Sequence, residues 1–162
     1  MIGGRIDPFA SSRVSEASSS VSERGIEARG EGSEEISLGD VDAGQRLRVM
    51  NVSRAVLLAD RLRLALDPWR RLRGLLGGPP LAEGEAILLR PCASVHTCFM
   101  GYVIDVLFLD EAGKIVAMRQ LRPWRFSPIY GAALATLEFP VGLLETSGSQ
   151  VGDRIAFLGE GC

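Results

Sequence analysis

A chain of 162 residues has room for one domain of ordinary size, whose core can be self-sufficient without metals or disulfides. Its hydrophobic share of 46% against 23% charged is that of ordinary globular proteins, and its net charge of −2 argues against a nucleic-acid partner on bulk electrostatics. No run approaches the ~20 apolar residues that span a bilayer, and Met1 to Pro8 lack the apolar stretch of a signal peptide. The expected location is therefore cytoplasmic, with neither a membrane nor nucleic acid as partner.

Residues 1–45 hold Ser11, Ser12, Ser15, Ser18, Ser19, Ser20 and Ser22, then an acidic stretch with Glu27, Glu31, Glu34, Glu35, Asp40 and Asp42. So little there can form a core that the ordering entropy has nothing to offset it, and a disordered tail is expected. Such a tail reads either as an acidic interaction segment or as a solubilising extension. From 46 to 160 the chain is apolar-rich and reads as one domain. Leu47, Val49 and Asn51 alternate with Arg46, Arg48 and Met50, and a second apolar run covers Ala55 to Ala59.

Asp67-Pro68-Trp69 has the form of a helix start, an N-cap carboxylate followed by proline at the first helical position. Leu72, Leu75 and Leu76 supply an apolar face, and Gly77-Gly78-Pro79-Pro80 stops the segment, so one short helix is predicted near residues 68–76. Arg70, Arg71 and Arg73, beside Arg61 and Arg63 on the preceding strand, read as a solvated charged face.

Strands are predicted at 86–90, 93–99, 104–109, 115–119, 136–139 and 154–158. Asp110-Glu111-Ala112-Gly113 is a tight hairpin turn whose glycine supplies a positive φ. The stretch from Arg122 to Pro128, with prolines at 123 and 128, is a surface loop. Many short strands without βαβ alternation predict a mainly β fold, a compact antiparallel sandwich or barrel with that one short helix.

Several of these segments, taken together and in order, resemble one family. They are Trp69 to Gly77, Val95-His96-Thr97 with Met100, Ile104 to Asp110, Leu137-Glu138-Phe139-Pro140-Val141-Gly142, and Gly152-Asp153. The family is domain of unknown function 192, an uncharacterised group of small β-rich proteins, and the resemblance covers residues 46 to 158. It implies a compact β-rich domain with a short helix and supplies neither a reaction nor catalytic residues. Relatives commonly carry a basic residue and then a proline between the methionine and the Ile/Leu-Asp pair, where this chain has Gly101 and Val103.

The densest chemical cluster runs from Cys92 through His96 to Cys98. On a strand, Cys92 and His96 would stand about 13 Å apart, too far to share one zinc, so no metal and no cofactor is expected. The three cysteines, Cys92, Cys98 and Cys162, form no disulfide framework and suit a reducing compartment. If the strand ending at Phe99 paired antiparallel with that starting at Ile104, His96 and Asp105 would be diagonal neighbours on one face. A carboxylate there would orient the imidazole for acid or base work, or the two would simply satisfy one another. Met100 and Trp124 could line a groove beside them, or could be ordinary packing.

No complete catalytic constellation is present. The leading expectation is a non-catalytic binding or accessory module for a small molecule or a protein, with a small polar pocket at His96, Met100, Asp105 and Trp124. The alternative is a small hydrolase or isomerase using His96 as acid or base oriented by Asp105.

Overall fold

Two β-sheets enclose one apolar layer in the computed structural model of the chain, which describes residues 33–67 and 78–160. Nine strands build them: β1 (Ser33–Ile36), β2 (Leu47–Asn51), β3 (Val56–Ala59), β4 (Arg61–Ala65), β5 (Glu85–Leu89), β6 (Ile104–Leu109), β7 (Ile115–Leu121), β8 (Ala135–Pro140) and β9 (Ile155–Glu160). The smaller sheet has the order β1-β9-β2-β3, the larger β4-β5-β8-β6-β7. Neither closes into a barrel, so the mainly β fold is sandwich-like.

Alternation along the strands decides what fills the space between the sheets. Leu47 and Val49 of β2, Leu137 and Phe139 of β8, and Leu107 and Leu109 of β6 meet in one buried cluster with Ile155 and Phe157 of β9. A second cluster lies on the other face of the five-stranded sheet. There Ile87, Leu89, Ile104, Val106 and Phe108 are covered by Leu81, Val95 and Met100 from irregular segments. All six residues of β6 are consequently buried. A run that is apolar but for Asp105 fits a strand covered on both faces.

The β6–β7 hairpin forms as its turn chemistry predicts. The Asp110 carboxylate accepts from the N–H groups of Ala112 (3.0 Å) and Lys114 (2.8 Å). Gly113 has φ +75°, and a Cβ there would stand 2.7 Å from the Ile155 carbonyl oxygen.

Three expectations need correction. The domain begins before residue 46: β1 pairs antiparallel with β9, Leu38 and Val41 are buried in the main core, and Glu35 pairs with Arg154. Ile36, Leu38 and Val41, set among serine, glycine and aspartate, are too few to establish a period. Residues 1–32 lie outside the described residues.

Next, 93–99 is not a strand but an irregular segment with a single bridge, His96 to Phe126. Both edges of β6 are already taken, by β7 and β8. Third, β4 and β5 are parallel, whereas an antiparallel fold was expected. Parallel neighbours need a long crossover, here residues 66–84, which contain the helix expected at 68–76; that helix lies outside the described residues. The α-helix among the described residues is α1 (Leu143–Ser147), a single short turn after β8.

Gly113→Ala is expected to destabilise the domain by about 2 kcal/mol or more, through a left-handed backbone and a backbone clash. A urea midpoint within error of wild type would contradict that account of the turn.

Candidate functional site

Asp105 and His96 do not meet. Strand alternation puts Ile104, Val106 and Phe108 on the face that Val95 and Met100 cover, which turns Asp105 to the opposite face. Fully buried there, its carboxylate accepts three hydrogen bonds: from Gln120 Nε2 (3.1 Å) on Oδ1, and from the N–H groups of Gly142 (2.9 Å) and Leu144 (3.0 Å) on Oδ2. The last two are free N–H groups at the start of α1. Gly142, its N-cap residue, has no side chain to satisfy them, so a carboxylate from the neighbouring strand does so. Asp105 is a structural cap. Met100 is also core, 5% exposed.

His96 belongs instead to a pair of loops, 91–103 and 122–134, laid over the second core. Thr97, fully buried, joins them. Its hydroxyl donates to the Arg122 carbonyl (2.6 Å) and accepts from Arg125 N–H (2.9 Å). Its backbone N–H donates to Arg125 O (2.8 Å), and its carbonyl accepts from Trp124 N–H (3.0 Å). Ser127 adds a second fastening, since its N–H donates to Val95 O (2.9 Å) and its Oγ accepts from Val95 N–H (3.0 Å). The Nδ1 of His96 is buried and has no hydrogen-bond partner among the described residues, while its ring lies 5.9 Å from that of Phe126.

The outer side of this loop pair is aromatic. Phe99 is 74% exposed, Trp124 57%, Phe126 72% and Ile129 80%. Phe99 and Trp124 both adopt left-handed backbone, φ +63° and +60°, and their rings touch edge to face with centroids 4.7 Å apart. Bulky non-glycine residues rarely take that conformation, and such strain concentrates at binding sites. Two strained aromatic residues in contact, on separate loops and exposed, mark the site.

Beneath the loops lies a carboxyl group that the sequence did not single out. Glu138 is 4% exposed, its Oε2 has no hydrogen-bond partner among the described residues, and burial pushes its pKa up to about 7. Register places it in one row across the sheet, between Ile87 and Val106, with Arg63 and Arg119 at the two ends. Burial, and secondly the nearby Glu138 charge, also raises the Tyr102 phenol above its usual value. The sequence places Glu138 in the strand at 136–139 and in a family motif; its burial follows from loops distant in the chain that cover this face.

Elsewhere, a recess of about 590 Å³ is lined by Gln45, Arg46, Leu47, Arg48, Asp60, Arg61 and Leu62. Asn51, Arg54 and Ser149 form a polar knot around Asp153, and the Asn51 hydrogen bond foremost holds that carboxyl below its usual pKa. Cys92 donates to the Ser94 carbonyl (3.1 Å), and Cys98 is half-buried. Among the described residues no three His, Cys, Asp or Glu side chains converge on a metal position, and no helix is long and apolar enough to cross a membrane.

The fold and this loop site define a class, a small two-sheet domain with loops packed over the outer face of its larger sheet. A crystal structure of a protein of unknown function from Novosphingobium aromaticivorans has a similar fold: TM-score 0.60 at 19% identity, over 76% of this chain and 91% of that one. The model of family DUF192, described as "Uncharacterized ACR", matches residues 50–157. A UPF0127 protein of Thermococcus sibiricus is 32% identical over 111 residues, 66% of this chain and 72% of that protein. Another, from Pyrococcus furiosus, is 33% identical over 110 residues, 66% of this chain and 95% of that protein. The chain belongs to the DUF192 family, as its motifs imply.

Two outcomes follow from the buried carboxyls. Asp105→Ala, which leaves two helix-start N–H groups unpaired, should cost about 3–5 kcal/mol in urea unfolding. A loss below 1 kcal/mol, within the usual cost of one ordinary hydrogen bond, would refute the capping role.

Glu138 titrates in the opposite sense to a paired carboxylate. With its folded pKa raised from 4.5 to about 7, its contribution is fully present below pH 4.5 and is lost as pH rises toward 7. The loss totals about 3 kcal/mol. Glu138→Gln should abolish this part of the pH dependence, so the wild type should fall relative to the variant between pH 5 and 8; parallel stability curves would show the carboxyl to be ordinary.

Proposed function

We propose that this domain is a non-catalytic binding module whose binding surface is the loop pair around His96, Phe99, Trp124 and Phe126. The observation that carries it is the strained, exposed Phe99–Trp124 contact. Each left-handed residue costs of order 1–3 kcal/mol, which persists only where surrounding structure overrides it. Here the Thr97 and Ser127 hydrogen bonds hold both loops, so the rings are presented without further ordering cost on binding. The hydrolase or isomerase alternative is less well supported, since Asp105 caps α1 and His96 Nδ1 has no hydrogen-bond partner among the described residues.

The test is thermal unfolding of the full chain against metals, nucleotides, sugars, small acids and candidate protein partners. A ligand at 100 times its dissociation constant should stabilise by about 2.7 kcal/mol. That corresponds to a melting shift of about 10 °C. The shift should vanish in Trp124→Ala, which removes an exposed side chain. Thr97→Val should lower stability by about 2–3 kcal/mol and weaken binding together, because it unfastens both loops. A ligand whose shift survives Trp124→Ala, or turnover of any substrate abolished by His96→Ala in folded protein, would refute the proposal.

A further inference from the structure

We infer that the loop pair docks on the surface of an anionic lipid bilayer, with Phe99, Trp124, Phe126 and Ile129 entering the headgroup region and Arg122 and Arg125 facing the lipid charge. The inference rests on the reading of these loops as the binding surface and names its partner.

Shape is the first argument. Side chains 57–80% exposed present most of their surface to solvent. A bilayer interface accepts such projections without a complementary pocket, and tryptophan and phenylalanine favour its boundary. The left-handed backbone at Phe99 and Trp124, pinned through Thr97, keeps both rings from folding back onto the core.

Charge is the second. From Pro91 to Ile104 and from Arg119 to Leu137 there is no aspartate or glutamate, while Arg119, Arg122 and Arg125 are all exposed. This is a basic, aromatic face on a chain of net charge −2, which as a whole would be repelled by anionic lipid. Ring geometry weighs against the other polyanion that combines with aromatic residues, a single nucleic-acid strand. Phe99 and Trp124 are inclined at 62°, so successive bases cannot stack on both. The sequence excluded a membrane partner for want of a spanning segment; surface docking requires none.

The experiment is co-sedimentation of the full chain with vesicles of phosphatidylcholine alone, or of phosphatidylcholine and phosphatidylglycerol in equal parts. An arm with a fluorescent single-stranded oligonucleotide runs in parallel. Association with the anionic vesicles is expected, weakening as salt rises. It should fall about tenfold for Phe99→Ser or Trp124→Ser. A fall of about fivefold is expected for Arg122→Ser or Arg125→Ser. Phe126→Ser and Ile129→Ser provide a second pair at exposed positions. Leu57→Ser, at an exposed leucine away from these loops, should bind as wild type. No association with anionic vesicles, or association indifferent to the loop variants, overturns the lipid assignment. Oligonucleotide binding lost in the aromatic variants, without vesicle binding, overturns it too but leaves the loop pair as a binding surface.

Discussion

Burial of the five-stranded sheet on both faces is the constraint from which the rest of this structure follows. One face is covered by a regular partner, the four-stranded sheet, through a layer of leucine, valine and phenylalanine. The other carries Ile87, Leu89, Ile104, Val106 and Phe108 and must also be removed from water. Its cover among the described residues is irregular chain. Irregular backbone laid on an apolar surface needs partners for its N–H and C=O groups, because buried polar groups without them are costly. Thr97 and Ser127 meet that need across the two loops. Fastened in this way, the loops point Val95 and Met100 inward and leave phenylalanine and tryptophan outside.

The same double burial separates two carboxyl groups that a sequence would treat alike. Asp105 is fully buried and accepts from three donors, two of them at the start of α1. Glu138, one strand away and on the other face, has an oxygen with no partner among the described residues, and burial raises its pKa toward neutrality. A carboxylate is cheap to bury where fixed dipoles replace its water and expensive where they do not. Asp105 is therefore architecture. Glu138 is a group whose charge state depends on what covers it.

Exposure and strain coincide at the aromatic end of the loops. Phe99 and Trp124 occupy a backbone region that glycine fills at no steric cost, yet neither is glycine. Nor are their rings hidden in compensation, as large apolar side chains usually are. A fold selected for stability alone has no reason to keep both features at one place. A surface that presents apolar groups to a partner, as proposed above, does.

Much of this molecule was legible in the sequence. The alternation of Leu47, Val49 and Asn51, the apolar-rich run of β6, the Asp110–Gly113 turn and the loop nature of 122–128 are local patterns, set by side-chain period and turn chemistry. The family motifs held over the same span. What the sequence could not show is non-local. A helix-start N–H pair chose Asp105, and an occupied sheet edge denied residues 93–99 a strand partner. Covering loops made Glu138 a buried acid. Strand period determines which residues share a face, and the sequence carries it; which face is covered, and by what, is decided only when distant segments pack, because burial depends on neighbours far along the chain.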